Sequence, residues 1–139
     1  MAVAVSGRLI AVTSSIFLLL VAAAAAAAGG NSVFCHNIGG CDAGTAGSLV
    51  RDLAGEVPGQ PNQLYCNVQE LPSGSANMYG YGYCSTRGRS LEPEKDCNDC
   101  LTSAGNDLVN GCRGVGGAGE VWGPNALCYI LMGLTNKCA

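Results

Sequence analysis

Met78-Tyr79-Gly80-Tyr81-Gly82-Tyr83-Cys84 alternates without a break. A period of two belongs to a β-strand, whose successive side chains point to opposite faces of a sheet. The two faces differ sharply. One carries Tyr79, Tyr81 and Tyr83; the other carries Met78, Gly80, Gly82 and Cys84. Glycine inside a strand weakens it unless another element must approach the backbone closely, and a helix packed across the glycine side is such an element. The tyrosines then lie on the opposite face of a two-layer fold.

Helices are legible on both sides of this strand. Downstream, Pro93 suits a first turn, and Glu92, Glu94 and Asp96 set negative charge at the positive end of a helix dipole. Cys97, Cys100, Leu101, Ala104, Leu108 and Cys112 then recur near one face, Asn110-Gly111 weakens the last turn, and Arg113-Gly114 closes it. Upstream, Thr45 is expected to cap a helix whose apolar positions are Leu49, Val50, Leu53 and Val57, ended by Pro58-Gly59. Further strands are expected at Ser32–Cys35, Leu64–Val68, Glu120–Trp122 and Ala126–Leu134. Two helices, about five short strands and hairpin-like connections imply an α+β fold, with both helices on one face of an antiparallel sheet.

The chain divides into a leader, residues 1–28, and one domain, residues 29–139. Arg8, an apolar run densest over Ile16 to Val21 and the alanines from Ala22 to Ala28 have the layout of a signal peptide cleaved near Ala28. The remaining 111 or so residues suit a single domain. They carry six Lys or Arg against ten Asp or Glu, a net charge of −4. An acidic domain without a basic run is a poor partner for nucleic acid or an anionic membrane. The longest later apolar stretch, Ala126 to Leu134, is too short to span a bilayer and holds Cys128, so no stable membrane anchor is expected. All nine cysteines fall in this domain, a disulfide composition for an oxidising compartment. The domain is thin in large apolar residues, with one Phe (Phe34) and one Trp (Trp122). With so little apolar bulk, bridges worth about 2–4 kcal/mol each are comparable with the whole net stability.

The ordered set Tyr79-Gly80-Tyr81-Gly82-Tyr83-Cys84, Cys97-Asn98-Asp99-Cys100-Leu101, Cys112, Val121-Trp122 and Cys128 resembles the plant ginkbilobin-like family. These are the cysteine-rich repeat secretory proteins, also called stress-antifungal domains. The likeness covers essentially the whole of residues 29–139. It departs from the family in two loops. Cys84 to Cys97 encloses twelve residues, more than usual, because Arg87-Gly88-Arg89-Ser90 or its neighbours lengthen the loop, and the gap from Cys112 to Cys128 is also long. The resemblance implies the bridges Cys84–Cys97, Cys100–Cys128 and Cys35–Cys112. It leaves Cys41, Cys66 and Cys138, for which Cys41–Cys66 and Cys66–Cys138 are both open, with one thiol free or joined to another molecule.

The same resemblance implies a secreted, apoplastic defence protein that binds mannose-type glycans and restrains fungal growth. The family's sugar site uses an Asn just after the first cysteine, an Arg before the last framework cysteine and a Glu shortly after it. This chain carries His36 (with Asn37 one residue along), Glu120 and Gly133 at those positions. A carboxylate accepts hydrogen bonds where a guanidinium donates them, so Glu120 does not replace Arg. A different class of function is an interaction module without sugar affinity, which pairs its Tyr79, Tyr81, Tyr83 face with a protein partner or with a second copy of itself. An enzyme is not expected, since His36 is the only histidine and sits beside Cys35, which is assigned to a bridge. No cofactor and no metal are expected: a C-x-x-C competing with disulfides lacks a second ligand pair for zinc. No Asn-x-Ser/Thr sequon occurs.

Overall fold

A computed structural model describes residues 30 to 138; the leader reading on residues 1–28 lies outside the described residues. Seven elements follow in order: β1 (Ser32–Cys35), α1 (Ala43–Glu56), β2 (Leu64–Glu70), β3 (Asn77–Cys84), α2 (Pro93–Gly111), β4 (Gly119–Trp122) and β5 (Cys128–Gly133). Short 3₁₀ turns at Val57–Gly59, Arg113–Val115 and Pro124–Ala126 join them. The strands form one antiparallel sheet in the order β1-β4-β5-β3-β2. The fold is α+β, with two helices on one face of the sheet.

The glycine side of β3 is where the layers meet. A β-carbon added at Gly80 would stand 3.3 Å from Leu49 Cβ, and one at Gly82 would stand 3.0 Å from Val57 Cγ2. A β-carbon at either position would crowd these neighbours, so α1 and the turn that follows it approach the sheet closely there. Leu49, Leu53, Leu101, Leu108, Met78, Ile130 and Met132 fill the space between layers and are fully buried. On β2 the inner face is polar instead. Asn67 and Gln69 donate to the Asp52 carboxylate of α1 at 3.0 and 2.8 Å, which satisfies this edge strand against the helix.

Several element boundaries differ from the sequence expectations: β3 begins at Asn77, β4 at Gly119, and β5 ends at Gly133. Asp42, not Thr45, caps α1: its carboxylate accepts from the Thr45 backbone N–H at 2.8 Å and from the Thr45 hydroxyl at 2.9 Å. Thr45 is thereby turned inward and buried. Strand β2 runs on to Glu70, because β3 pairs with it as far as Asn77. Helix α2 ends at Gly111, and Arg113-Gly114 belongs to a separate turn capped by Gly116 at φ +67°. Residue Ala126 lies in a turn, not in β5, where Asn125 and Ala126 both take positive φ.

Four cysteine pairs stand at disulfide distance: Cys35–Cys112, Cys84–Cys97, Cys100–Cys128 and Cys66–Cys138, with Cα separations of 5.3, 5.7, 6.0 and 5.5 Å. The first three are those the resemblance implies. Of the two alternatives left open, the structure has Cys66–Cys138, and Cys41 carries a free thiol. Burial pushes that thiol above its ordinary pKa, so it is a poor nucleophile at neutral pH.

Candidate functional site

The register across β3 sets the outer face of the sheet. Tyr79, Tyr81 and Tyr83 stand opposite Val68, Cys66 and Leu64 on one side and Gly133, Leu131 and Tyr129 on the other. Farther along, Trp122 lies opposite Tyr129, Glu120 opposite Leu131, and Phe34 opposite Glu120. Among the described residues no element layers this face. Phe34 is 58% exposed, Val68 46% and Trp122 42%, while the three tyrosines of β3 are half-buried.

Aromatic rings on this face touch each other. The Trp122 and Tyr129 ring centres are 4.4 Å apart, and Tyr81 meets Tyr129 edge to face at 6.2 Å. The Tyr129 hydroxyl donates to Glu120 Oε2 at 2.5 Å. Burial, then the Glu120 hydrogen bond, pushes the Tyr129 phenol far above its ordinary pKa. Burial, then the neighbouring Tyr83, raises Tyr81 as well. Both stay neutral donors at physiological pH.

One segment does cross the face. The chain leaves β5 at Gly133, and five residues later Cys138 is bonded to Cys66 on β2. Strand β3 lies between β5 and β2, and Cys66 shares the outer face with Tyr81 by register. The C-terminal segment therefore passes over β3 as a strap. Between strap and sheet is a pocket of about 170 Å³. Tyr79, Tyr81 and Leu131 line it from the sheet, Leu134, Thr135 and Lys137 from the strap, and His36 and Ile38 from the chain leaving β1. That volume is below the roughly 300 Å³ of a drug-sized site, and suits a single small ring.

No family model, characterised protein or solved structure matches this chain. Fold and site are accordingly read from its own residues.

The sequence candidates divide. His36, Gly133, Tyr79 and Tyr81 come together at the pocket. Asn37 is exposed and does not line it; Glu120 lies one strand away, occupied by Tyr129. Tyr83 lines a different cleft, beyond the Cys84 end of β3. Sequence reasoning missed the strap residues Leu134, Thr135 and Lys137, and also Ile38 and Tyr129. One signal for the strap was present: Cys138 follows the last expected strand by only a few residues. Among the described residues, no three His, Cys, Asp or Glu side chains gather as a metal-binding group, and no helix is long and apolar enough to cross a membrane.

Proposed function

We propose that this chain is a secreted, non-catalytic binding domain of the ginkbilobin-like type, which holds one glycan ring under its C-terminal strap. One observation carries this: a small walled pocket whose floor is Tyr79 and Tyr81, and whose rim holds His36, Thr135 and Lys137. An aromatic floor offers its face to the apolar side of a sugar, and hydroxyl, imidazole and ammonium groups serve the hydroxyls. Four disulfides support an extracellular setting. The role assigned is defence, through mannose-type residues of fungal walls.

Titration of the disulfide-intact protein with methyl α-mannoside, followed by NMR, tests this. Shifts are expected at Tyr79, Tyr81 and His36, with binding weakened about tenfold or more by Tyr81→Ala, since ring stacking is lost. Absence of shifts at millimolar mannoside, with a glycan array also silent, rejects it. The outer face also favours a second reading. Phe34, Trp122 and Val68 remain exposed outside the pocket, which suits a protein partner or a second copy. Dimers in sedimentation that dissolve on Trp122→Ala would select that module.

A further inference from the structure

Beyond the Cys84 end of β3 lies a second cleft, of about 380 Å³, between the loop after β3 and the connection from α1 to β2. Its polar lining comes from Asn62, Gln63, Tyr83, Ser85, Arg87 and Arg89. Arg87 and Arg89 belong to the loop that lengthens the spacing between Cys84 and Cys97. Two of the six cations of residues 29–139 thus stand at one cleft in an acidic domain, and no carboxylate lines it.

Both guanidiniums are held in place without being neutralised. Arg87 Nη2 donates to the Gln60 and Pro58 carbonyls at 3.0 and 3.4 Å. Arg89 donates from Nη1 to Ser85 Oγ at 2.8 Å and from Nη2 to the Asn125 carbonyl at 3.0 Å. Neutral oxygens fix the forks, and among the described residues neither Arg forms an ion pair. A guanidinium has five N–H donors in a rigid plane, so each keeps donors to spare.

The remaining lining is neutral. Gln63 is buried behind the cleft and its amide oxygen accepts from the Thr86 hydroxyl, and no carboxylate of the lining offsets Arg87 and Arg89. What two fixed cations at one cleft lack is an anion. The volume exceeds what a bare carboxylate fills, and Tyr83 adds an aromatic wall to it.

We propose that this cleft binds a carboxylate carried on a sugar ring: a uronic acid unit of an acidic polysaccharide. Arg87 and Arg89 receive the carboxylate in charge-assisted hydrogen bonds, and the Tyr83 ring packs against the sugar. This site is separate from the strap pocket and stands whether or not that pocket binds mannose.

The test is calorimetric titration of the disulfide-intact protein with trigalacturonate, alongside its fully methyl-esterified form, tetra-aspartate and inorganic phosphate. Trigalacturonate is expected to bind, and the neutral ester at least tenfold more weakly. Affinity is expected to fall steadily between 50 and 300 mM salt, roughly as screening dictates. Arg89→Gln is expected to weaken binding about tenfold or more, with an unchanged thermal midpoint showing the fold intact. NMR shifts are expected to centre on Tyr83, Arg87 and Arg89, not on Tyr79 and Tyr81. Equal binding of the ester overturns the proposal, as does a silent trigalacturonate titration. Tetra-aspartate or phosphate binding as tightly as trigalacturonate overturns the assignment to a uronate.

Discussion

Replacing Cys66 and Cys138 together by serine removes the cross-link that ties the strap to β2. Taken alone, a bridge across 72 residues restricts the unfolded chain by about 4.4 kcal/mol in the loop-entropy model. Other bridges shorten the loop. From Cys66 the chain runs 18 residues to Cys84, crosses to Cys97, runs 3 to Cys100, crosses to Cys128 and runs 10 to Cys138. A closed path of about 31 residues is worth about 3.7 kcal/mol. The native state gains too, however. Thr135 to Cys138 are all exposed, and each regains roughly 1–2 kcal/mol of backbone freedom once released. Less the contacts the strap gives up, that relief offsets the unfolded-state gain, and the expected net loss is within about 1 kcal/mol. Cys100–Cys128 is different. It closes 28 residues, shorter than any detour through the other bridges, and joins α2 to β5, neither of which can swing free. Its removal by Cys100→Ala with Cys128→Ala is expected to cost about 3.6 kcal/mol from entropy alone. Urea unfolding monitored by circular dichroism, with slopes compared to detect changes in the denatured state, separates the two. The strap variant is also expected to lose mannoside affinity, because one wall of the pocket leaves. A strap variant destabilised by 3 kcal/mol, or a helix-to-sheet variant destabilised by less than 1 kcal/mol, would refute the reasoning.

Other perturbations read other parts of the molecule. A β-carbon at Gly105 of α2 would stand 2.7 Å from Val50 Cγ2 and closer still to Cγ1, so Gly105→Ala is expected to destabilise by about 1–2 kcal/mol. Overpacking of this kind outweighs the roughly 1 kcal/mol gained in helix propensity. Val50→Ala in the same chain should recover part of that loss, and a double-mutant cycle showing no coupling would count against the contact. The backbone and hydroxyl hydrogen bonds from Thr45 hold the Asp42 carboxyl below its ordinary pKa. A native pKa lower than the unfolded one adds stability above the unfolded value and loses it as pH falls through the native one. Asp42→Ala is thus expected to lower the thermal midpoint at pH 7, and the gap from the parent should close in acid; a gap that persists at pH 2 contradicts the cap. Tyr129 and Tyr81 are shifted upward, so their neutral forms stabilise the fold below pH about 10 and that contribution is lost as pH rises through the native values. Absorbance titration at 295 nm should show two of the five tyrosines ionising late, and five titrating together would rule this out.

The fold was largely legible because its deciding signals are local. Strict alternation over Met78 to Cys84 names both faces of β3, and two of its glycines require a neighbour that α1 supplies. The apolar spacing of Leu49, Val50, Leu53 and Val57 places that helix, and all four are buried. Boundaries failed where a partner distant in sequence decides. Gln69 and Glu70 have little strand propensity of their own, yet β3 hydrogen-bonds to them. Choosing between Asp42 and Thr45 as cap turns on which carboxylate or hydroxyl meets the first free N–H groups. The two sit three residues apart, as cap and bonded partner do, so either numbering satisfies the pattern.

The candidate site was harder to read for a physical reason. Its walls come from chain segments that share no periodicity: the exit of β1, the centre of β3, its neighbours β2 and β5, and a strap with no regular structure. Tyr79 and Tyr81 announce themselves by alternation, whereas Thr135 and Lys137 become wall residues only because a bridge carries them across the sheet. That bridge follows from register. Cys66 stands opposite Tyr81, on the face away from both helices. Cys41 is half-buried and packs against the core on the helix side. Given that sidedness, Cys138 is the partner within reach on the outer face, and the choice between the two open pairings is settled by which side of one strand a cysteine occupies. The strap, the pocket under it and the function proposed for it all descend from that one parity.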